Sequence, residues 1–316
     1  VIDEAQYIKN AGTKGARAVK SVSAQMKLAL TGTPVENRLS ELWSIFDYLM
    51  PGFLYSYEHF KKNFEMPIMK KENEDAMADL QKMIRPFILR RLKKEVLSDL
   101  PDKIEKCVMI PLEGEQKKLY DAHVQRLKFM LENEEFANIR MQVLAELTRL
   151  RQLCCDPALI YQDYQEGAAK MELCMELLNN AVNGGHKVLL FSQFTSMLGI
   201  LEKRMEEAGI GYYSLTGSTP KKERMELMEK FNRDATPVFC ISLKAGGTGL
   251  NLTGADVVIH YDPWWNVAAE NQATDRAHRI GQKRVVTVYK LAAEHTIEEK
   301  VVELQQKKKE LADQVL

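Results

Sequence analysis

Four short stretches of this chain carry side chains suited to phosphate chemistry. In "VIDEAQYIKN", Asp3 and Glu4 follow directly on the apolar Val1-Ile2, as carboxylates do at the end of a buried parallel strand. One such carboxylate can hold magnesium, usually through water, while its neighbour polarises an attacking water. The same dipeptide also suits the start of a helix, where acidic groups meet free N–H groups. In "LTGTP", Thr31 and Thr33 set two hydroxyls at a strand-to-loop transition, where they could sense a neighbouring nucleotide or simply finish a proline-fixed turn. In "SLKAGGTGLNLTGAD", Gly246, Gly247 and Gly249 let the backbone approach an anion closely, with Lys244, Thr248 and Asn251 as polar partners. A tight turn uses glycines equally well. In "QATDRAHRIGQ", Arg276 and Arg279 are three residues apart, which on a helix projects both guanidinium forks from one face. Such forks match phosphate oxygens and stabilise charge in phosphoryl transfer, although arginines at this spacing also form ordinary solvated faces. His278 between them reads as structural, and Trp264 and Trp265 as packing residues, one of which could stack on a base.

These stretches need a scaffold, and the hydrophobic patterning supplies one. Within residues 1–56, "MKLALTGTP" predicts a strand and "SELWSIFDYLM" a helix stopped by Pro51-Gly52. Residues 57–167 read as helical and charge-rich, with basic clusters such as Arg90, Arg91, Lys93 and Lys94 and one strand-like run, "KCVMIPL". Across residues 168–292, "KVLLFSQF", "GYYSLTG", "PVFCISL", "ADVVIHYD" and "VVTVYKL" alternate with helical segments, the pattern of a parallel sheet covered on both faces. In residues 293–316, Ile297, Val301, Leu304, Leu311 and Val315 recur at heptad-like spacing, predicting an amphipathic helix.

Composition narrows the class without naming an activity. The 316 residues, 45% hydrophobic and 28% charged, suffice for two globular cores. Forty-four basic and 44 acidic residues cancel, so any nucleic-acid footprint must be local. Five cysteines without a C-x-x-C pair support neither a disulfide framework nor a zinc site, and suit a reducing compartment. No apolar run approaches the roughly 20 residues that span a bilayer, so no membrane partner is expected.

Taken in order, the motifs resemble the Snf-type family of DNA-dependent ATPases, the remodelling branch of helicase superfamily two. "DEAQ" resembles motif II, "LTGTPVENRLSELWSIFDYLMPGFL" motif III and its following helix, "LLFSQF" motif IV, "SLKAGGTGLNLTGAD" motif V and "QATDRAHRIGQ" motif VI. "FILRRLKKEVLSDLPDKIEKCVMIPLEGEQKKLY" is similar to the family's linker, and the final helix to its brace. The likeness spans essentially the whole chain; it departs at "NVAAE", where the family more often has Pro-Ala after Asn.

The resemblance implies an α/β fold: a second RecA-like helicase lobe over residues 168–292, its parallel sheet carrying helices on both faces. Residues 1–56 would be the tail of a first RecA-like lobe, 57–167 helical insertions and linker, and 293–316 the brace helix. It further implies ATP and Mg2+, with Asp3 as metal ligand, Glu4 activating water, and Arg276 and Arg279 as paired arginine fingers. Gly247, Thr248, Gly249 and Gln272 would contact the nucleotide. Ser192, Gln193, Thr216, Gly217 and Lys244 would face the nucleic-acid backbone or the cleft between lobes. The implied partners are double-stranded DNA and a protein being remodelled, for a monomeric motor. The "DEAQYIKN" wording favours a prokaryotic, nucleoid-associated cytoplasm over a nucleus.

A motor of this kind needs the loop G-x-x-x-x-G-K-[ST] to cradle a triphosphate, and no Gly-Lys dipeptide occurs in the sequence. The first lobe is therefore expected to run only from motif II onward, and the chain to be inactive alone, as part of a longer translocase. Two other readings stay open: a non-catalytic DNA- or protein-binding module derived from such a motor, and a strand-separating helicase.

Overall fold

The computed structural model describes residues 1–35, 38–71, 73–97, 99–246 and 250–315. The chain divides into two compact units. One comprises Val1–Val96, Asn266–Ala268 and Gln305–Leu316; the other comprises Leu97–Trp265 and Ala269–Leu304.

The second unit is built on six parallel strands, β1 (Lys103–Ile110), β2 (Val188–Ser192), β3 (Tyr212–Leu215), β4 (Val238–Ser242), β5 (Val257–His260) and β6 (Val286–Ala293). Their order across the sheet is β1-β6-β5-β2-β4-β3. All five β-rich runs of the 168–292 stretch become strands, and "KCVMIPL" contributes to a sixth, the edge strand β1, in register with β6 from Lys103↔Val286 to Ile110↔Ala293.

Alternation along the strands assigns side chains to two covered faces. Val188, Leu190, Val238, Cys240, Val257 and Ile259 pack with Met171, Cys174 and Leu178 of the Ala169–Asn183 helix and with Met197, Leu201 and Met205 of the Thr195–Glu207 helix. Leu189, Phe191, Phe239, Ile241, Val258 and Val288 pack with Met228 and Phe231 of the Lys221–Arg233 helix. Burial on both sides explains why these strands read as continuous apolar runs, each such side chain contributing on the order of 1.5–3 kcal/mol. The long helices Gly114–Asn133 and Phe136–Cys155 pair with each other, and Tyr120, Leu150, Leu153 and Cys154 form a smaller core with Leu112 and Ala293.

In the first unit, the strand expected in "MKLALTGTP" is reduced to one parallel bridge, Ile2↔Ala29. The Ile2 N–H donates to the Leu28 carbonyl and the Leu30 N–H to the Ile2 carbonyl, each at 2.8 Å. The Leu39–Leu49 helix forms as its spacing predicts, burying Leu39, Leu42, Ile45 and Phe46, and ends before a turn in which Gly52 holds a φ of +83°. Phe60, Phe64, Ile68, Leu80 and Ile84 complete this core. In the final helix, Ile297–Val315, Val301 and Val315 are buried as the heptad spacing predicts, whereas Leu304 is 45% exposed. Among the described residues no helix is long and apolar enough to cross a membrane.

Candidate functional site

In the first unit, Asp3 and Glu4 lie just past the Ile2↔Ala29 bridge, where the Ala5 N–H donates to the Leu30 carbonyl at 2.9 Å. Asp3 is exposed, and its Oδ1 accepts the Glu4 N–H at 2.9 Å. Glu4 adopts the left-handed conformation, φ 53°, before the short 3-10 turn Ala5–Ile8. For a residue with a Cβ that conformation costs about 1–3 kcal/mol. A chain of hydrogen bonds then runs back to the second motif. Gln6 Nε2 donates to Glu4 Oε2 at 2.5 Å, Thr31 Oγ1 donates to Gln6 Oε1 at 2.8 Å, and the Thr33 N–H donates to Thr31 Oγ1 at 3.1 Å. The Asp3-Glu4 and Thr31-Thr33 pairs thus share one bridging amide, Gln6, the last residue of the "DEAQ" stretch, to which the sequence alone assigns no role of its own.

In the second unit the site residues collect at the carboxyl ends of the strands. Ser192 closes β2 and Gln193 follows it; Thr216 and Gly217 follow β3; Lys244 follows β4. From β2 the chain continues to β3 and β4 on one side of the sheet and to β5 and β6 on the other, so the carboxyl ends of β2 and β5 flank a topological switch point, the usual ligand edge of an open parallel sheet. Ser192 Oγ donates to Asp262 Oδ1 at 2.6 Å, and the Gln193 N–H reaches the same oxygen at 3.3 Å. Burial pushes the Asp262 carboxyl up, and Lys170, the Ser192 hydrogen bond and Arg151 pull it back. The Thr216-Gly217 turn is tied by Arg224, whose Nη2 donates to the Thr216 carbonyl at 3.3 Å and to that of Gly217 at 3.0 Å. Gly247, Thr248, Gly249 and the Lys244 side chain lie outside the described residues.

Arg276 and Arg279 do not share a helix. The helix carrying Gln272 ends at Thr274, and both arginines occupy the turns that follow. The reason is non-local: the Arg276 carbonyl, needed to continue a helical ladder, accepts instead from the Leu252 N–H at 3.0 Å. Arg279 Nη1 donates to the Leu250 carbonyl at 3.2 Å, so this arginine segment is fastened to the chain just beyond the glycine-rich turn. Gln282 completes the fastening. Its Nε2 lies within 2.7–3.3 Å of the Ala255, Ala277 and Thr253 carbonyls, and its Oε1 accepts the Lys283 and Arg284 N–H groups. His278 Nε2 donates to the Pro101 carbonyl at 2.7 Å, the structural role its position suggested.

Asp3 fits a hard divalent cation by its chemistry: it is an exposed carboxylate with only Oδ1 engaged. Among the described residues no cluster of three or more His, Cys, Asp or Glu forms a self-contained metal cage. Magnesium held by one or two carboxylates normally completes its coordination with water and substrate phosphates.

The SNF2-related domain family matches residues 1–159, and the helicase conserved C-terminal domain matches residues 169–281. The chain is 43% identical over 323 residues to the putative ATP-dependent helicase/translocase YwqA of Bacillus subtilis (strain 168), covering all of this chain and 35% of that protein. It is 42% identical over 321 residues to an ATP-dependent helicase of Mycoplasma pneumoniae, covering all of this chain and 30% of that one. The chain therefore spans about a third of the length of these relatives. Among solved structures, the Sulfolobus solfataricus SWI2/SNF2 ATPase core in complex with dsDNA matches all of this chain and 68% of that one, at 39% identity and a TM-score of 0.59.

Proposed function

This chain belongs to the SNF2-related family of helicase-type ATPases, and from that premise we propose that it is the motif II to motif VI portion of a motor that translocates on double-stranded DNA. In this reading Glu4 orients the attacking water and takes its proton, while Gln6 fixes the Glu4 carboxylate and links its position to Thr31 and Thr33. Asp3 would hold magnesium, which would supply charge neutralisation to the phosphates. Arg276 and Arg279 stabilise charge on the transferring phosphoryl group. The Ser192-Gln193 turn, its Ser192 side chain buried against Asp262, meets the DNA backbone together with Thr216, Gly217 and Lys244, and Gly247, Thr248, Gly249 and Gln272 meet the nucleotide. A protein displaced from DNA is the target of the complete motor.

The observation that supports this most directly is the alignment of the β2, β3 and β4 turns along one carboxyl edge of a parallel sheet. Turns on neighbouring parallel strands, about 4.8 Å apart, form one continuous edge, and backbone-positioning contacts of this kind carry no sequence information.

The test is a fluorescence-anisotropy titration of the chain against a mixed-sequence DNA duplex at several salt concentrations. Affinity that falls steeply with salt and varies little with sequence is expected; salt-insensitive binding, or none, overturns the reading. In parallel, the chain alone is expected to show no DNA-stimulated ATP turnover, because it holds no Gly-Lys dipeptide. Turnover that survives Arg276→Ala overturns that expectation.

A further inference from the structure

The turn that carries Ser192 and Gln193 is gripped by a residue from outside every motif. Arg151 lies on the Phe136–Cys155 helix and is only 6% exposed. Its Nη2 donates to the Pro263 carbonyl at 2.6 Å and sits 3.9 Å from Asp262 Oδ2. Its guanidinium carbon is 5.8 Å from the centre of the Phe194 ring and 5.5 Å from that of Trp265. One cation therefore touches the residue after Gln193 on one side and both Pro263 and Trp265 on the other. The carboxylate between them, Asp262, is itself 3% exposed and receives Ser192 and Gln193 on its other oxygen.

As a stabilising ion pair this is a poor arrangement. At 3.9 Å the charges make no hydrogen bond, and Arg151 Nε and Asp262 Oδ2 are buried without a hydrogen-bond partner among the described residues. Taking two ions out of water costs several kcal/mol each, so apolar side chains would serve a plain core better. What apolar side chains would not supply is direction. A planar guanidinium can contact two rings while its edge holds a carbonyl, which fixes the β2 turn against the segment after β5.

We propose that Arg151 is a positioning residue for DNA binding: it clamps the Ser192-Gln193 turn into the conformation that meets the phosphate backbone, without touching DNA itself. This rests on the DNA-binding reading above. The grip also makes the Phe136–Cys155 helix part of the DNA-binding edge, although the sequence assigns that helix to the linker region.

The test compares the unaltered chain with Arg151→Met, Arg151→Lys and, as a charge-matched control on the same helix, Arg140→Met, an exposed position. Three quantities are read: amide hydrogen exchange at Gln193 and Phe194, affinity for a DNA duplex across salt concentrations, and the thermal midpoint. Arg151→Met is expected to raise exchange at both amides and weaken DNA binding about tenfold, with the salt slope unchanged, because no phosphate contact is lost. Arg140→Met is expected to leave exchange at both amides unaltered. Arg151→Lys keeps the charge but not the planar stack, and is expected to fall between the extremes; if Arg151→Met fails to fold, this variant decides by the same exchange criterion. Unchanged exchange at Gln193 and Phe194 in a folded variant overturns the clamp. A salt slope reduced by about one unit also overturns it, in favour of direct phosphate contact. If the unaltered chain binds no DNA, the functional reading fails, while amide exchange still judges the clamp separately.

Discussion

Lys170 and Glu298 form an ion pair from which solvent is wholly excluded, the Lys170 Nζ lying 2.8 and 2.7 Å from the two carboxylate oxygens. Each partner also serves the backbone: Lys170 donates to the Tyr261 carbonyl at 3.1 Å, and Glu298 accepts the Ala293 N–H at 2.8 Å. Burial, the largest single effect, works against the charge on Lys170, but Glu298 together with the neighbouring Cys155, Cys154 and Asp262 raises the ammonium pKa overall. The pair thereby pins the end of β6 and the segment after β5 to the start of the Ala169–Asn183 helix.

Removing one member leaves the other charge stranded. Lys170→Met alone is expected to lower unfolding stability by about 3–5 kcal/mol, whereas Lys170→Met combined with Glu298→Leu should restore most of it. Urea unfolding of the three proteins measures this; equal losses in single and double variants would contradict it.

Gln6 joins Glu4 to Thr31 through both ends of one amide. In a motor that contains this chain together with a phosphate loop, Gln6→Ala is expected to lower kcat about tenfold or more while KM for ATP changes little, because in the proposed function Glu4 orients water and would lose its support. Steady-state kinetics would refute this by giving an unaltered kcat.

Gln282 donates to three carbonyls and accepts from two backbone N–H groups. Gln282→Ala leaves several of these buried groups unsatisfied and should cost about 2–4 kcal/mol. Denaturant titration reads the loss, and a change below about 0.5 kcal/mol would show that the surrounding turns hold themselves.

Acid should weaken the fold through His260. Burial, reinforced by Lys290, holds its imidazole down at about 3, and its Nε2 shares a 2.9 Å hydrogen bond with Thr274 Oγ1. An unfolded histidine titrates near 6.5, so from there down to about pH 3 the unfolded chain takes up a proton that the native one refuses. The stability contribution is complete above about pH 6.5 and is lost on acidification at up to about 1.4 kcal/mol per pH unit. Urea midpoints between pH 7 and 5 should fall more steeply for the unaltered protein than for His260→Asn; parallel slopes would exclude this histidine as a source.

The strands were legible because burial on both faces forces unbroken apolar runs, as in Val188–Ser192 and Val238–Ser242. Positions set by local patterning were legible too: Ser192 closes β2 and Thr216 directly follows β3. What escaped depends on partners distant in sequence. Arg276 and Arg279 have helical spacing, but a carbonyl recruited by Leu252 stops the helix first. Arg151, Lys170 and Glu298 look in the sequence like ordinary charges on helix surfaces; only packing against the segment after β5, for Arg151 and Lys170, and the end of β6, for Glu298, turns them inward. Gln6 stands inside the "DEAQ" stretch, but its tie to Thr31, 25 residues later, is not local.

The pairing of β1 with β6 also sets an order of events for a chain leaving the ribosome. Ile110 meets Ala293 about 180 residues later, and among the described residues β6 is the one neighbour β1 has in the sheet. At about 5–20 residues per second, β1 waits roughly 10–40 seconds for its partner to be synthesised. During that interval its hydrogen-bonding edges remain open to any other extended segment, making this stretch the natural point for chaperone capture or for misassembly between nascent copies.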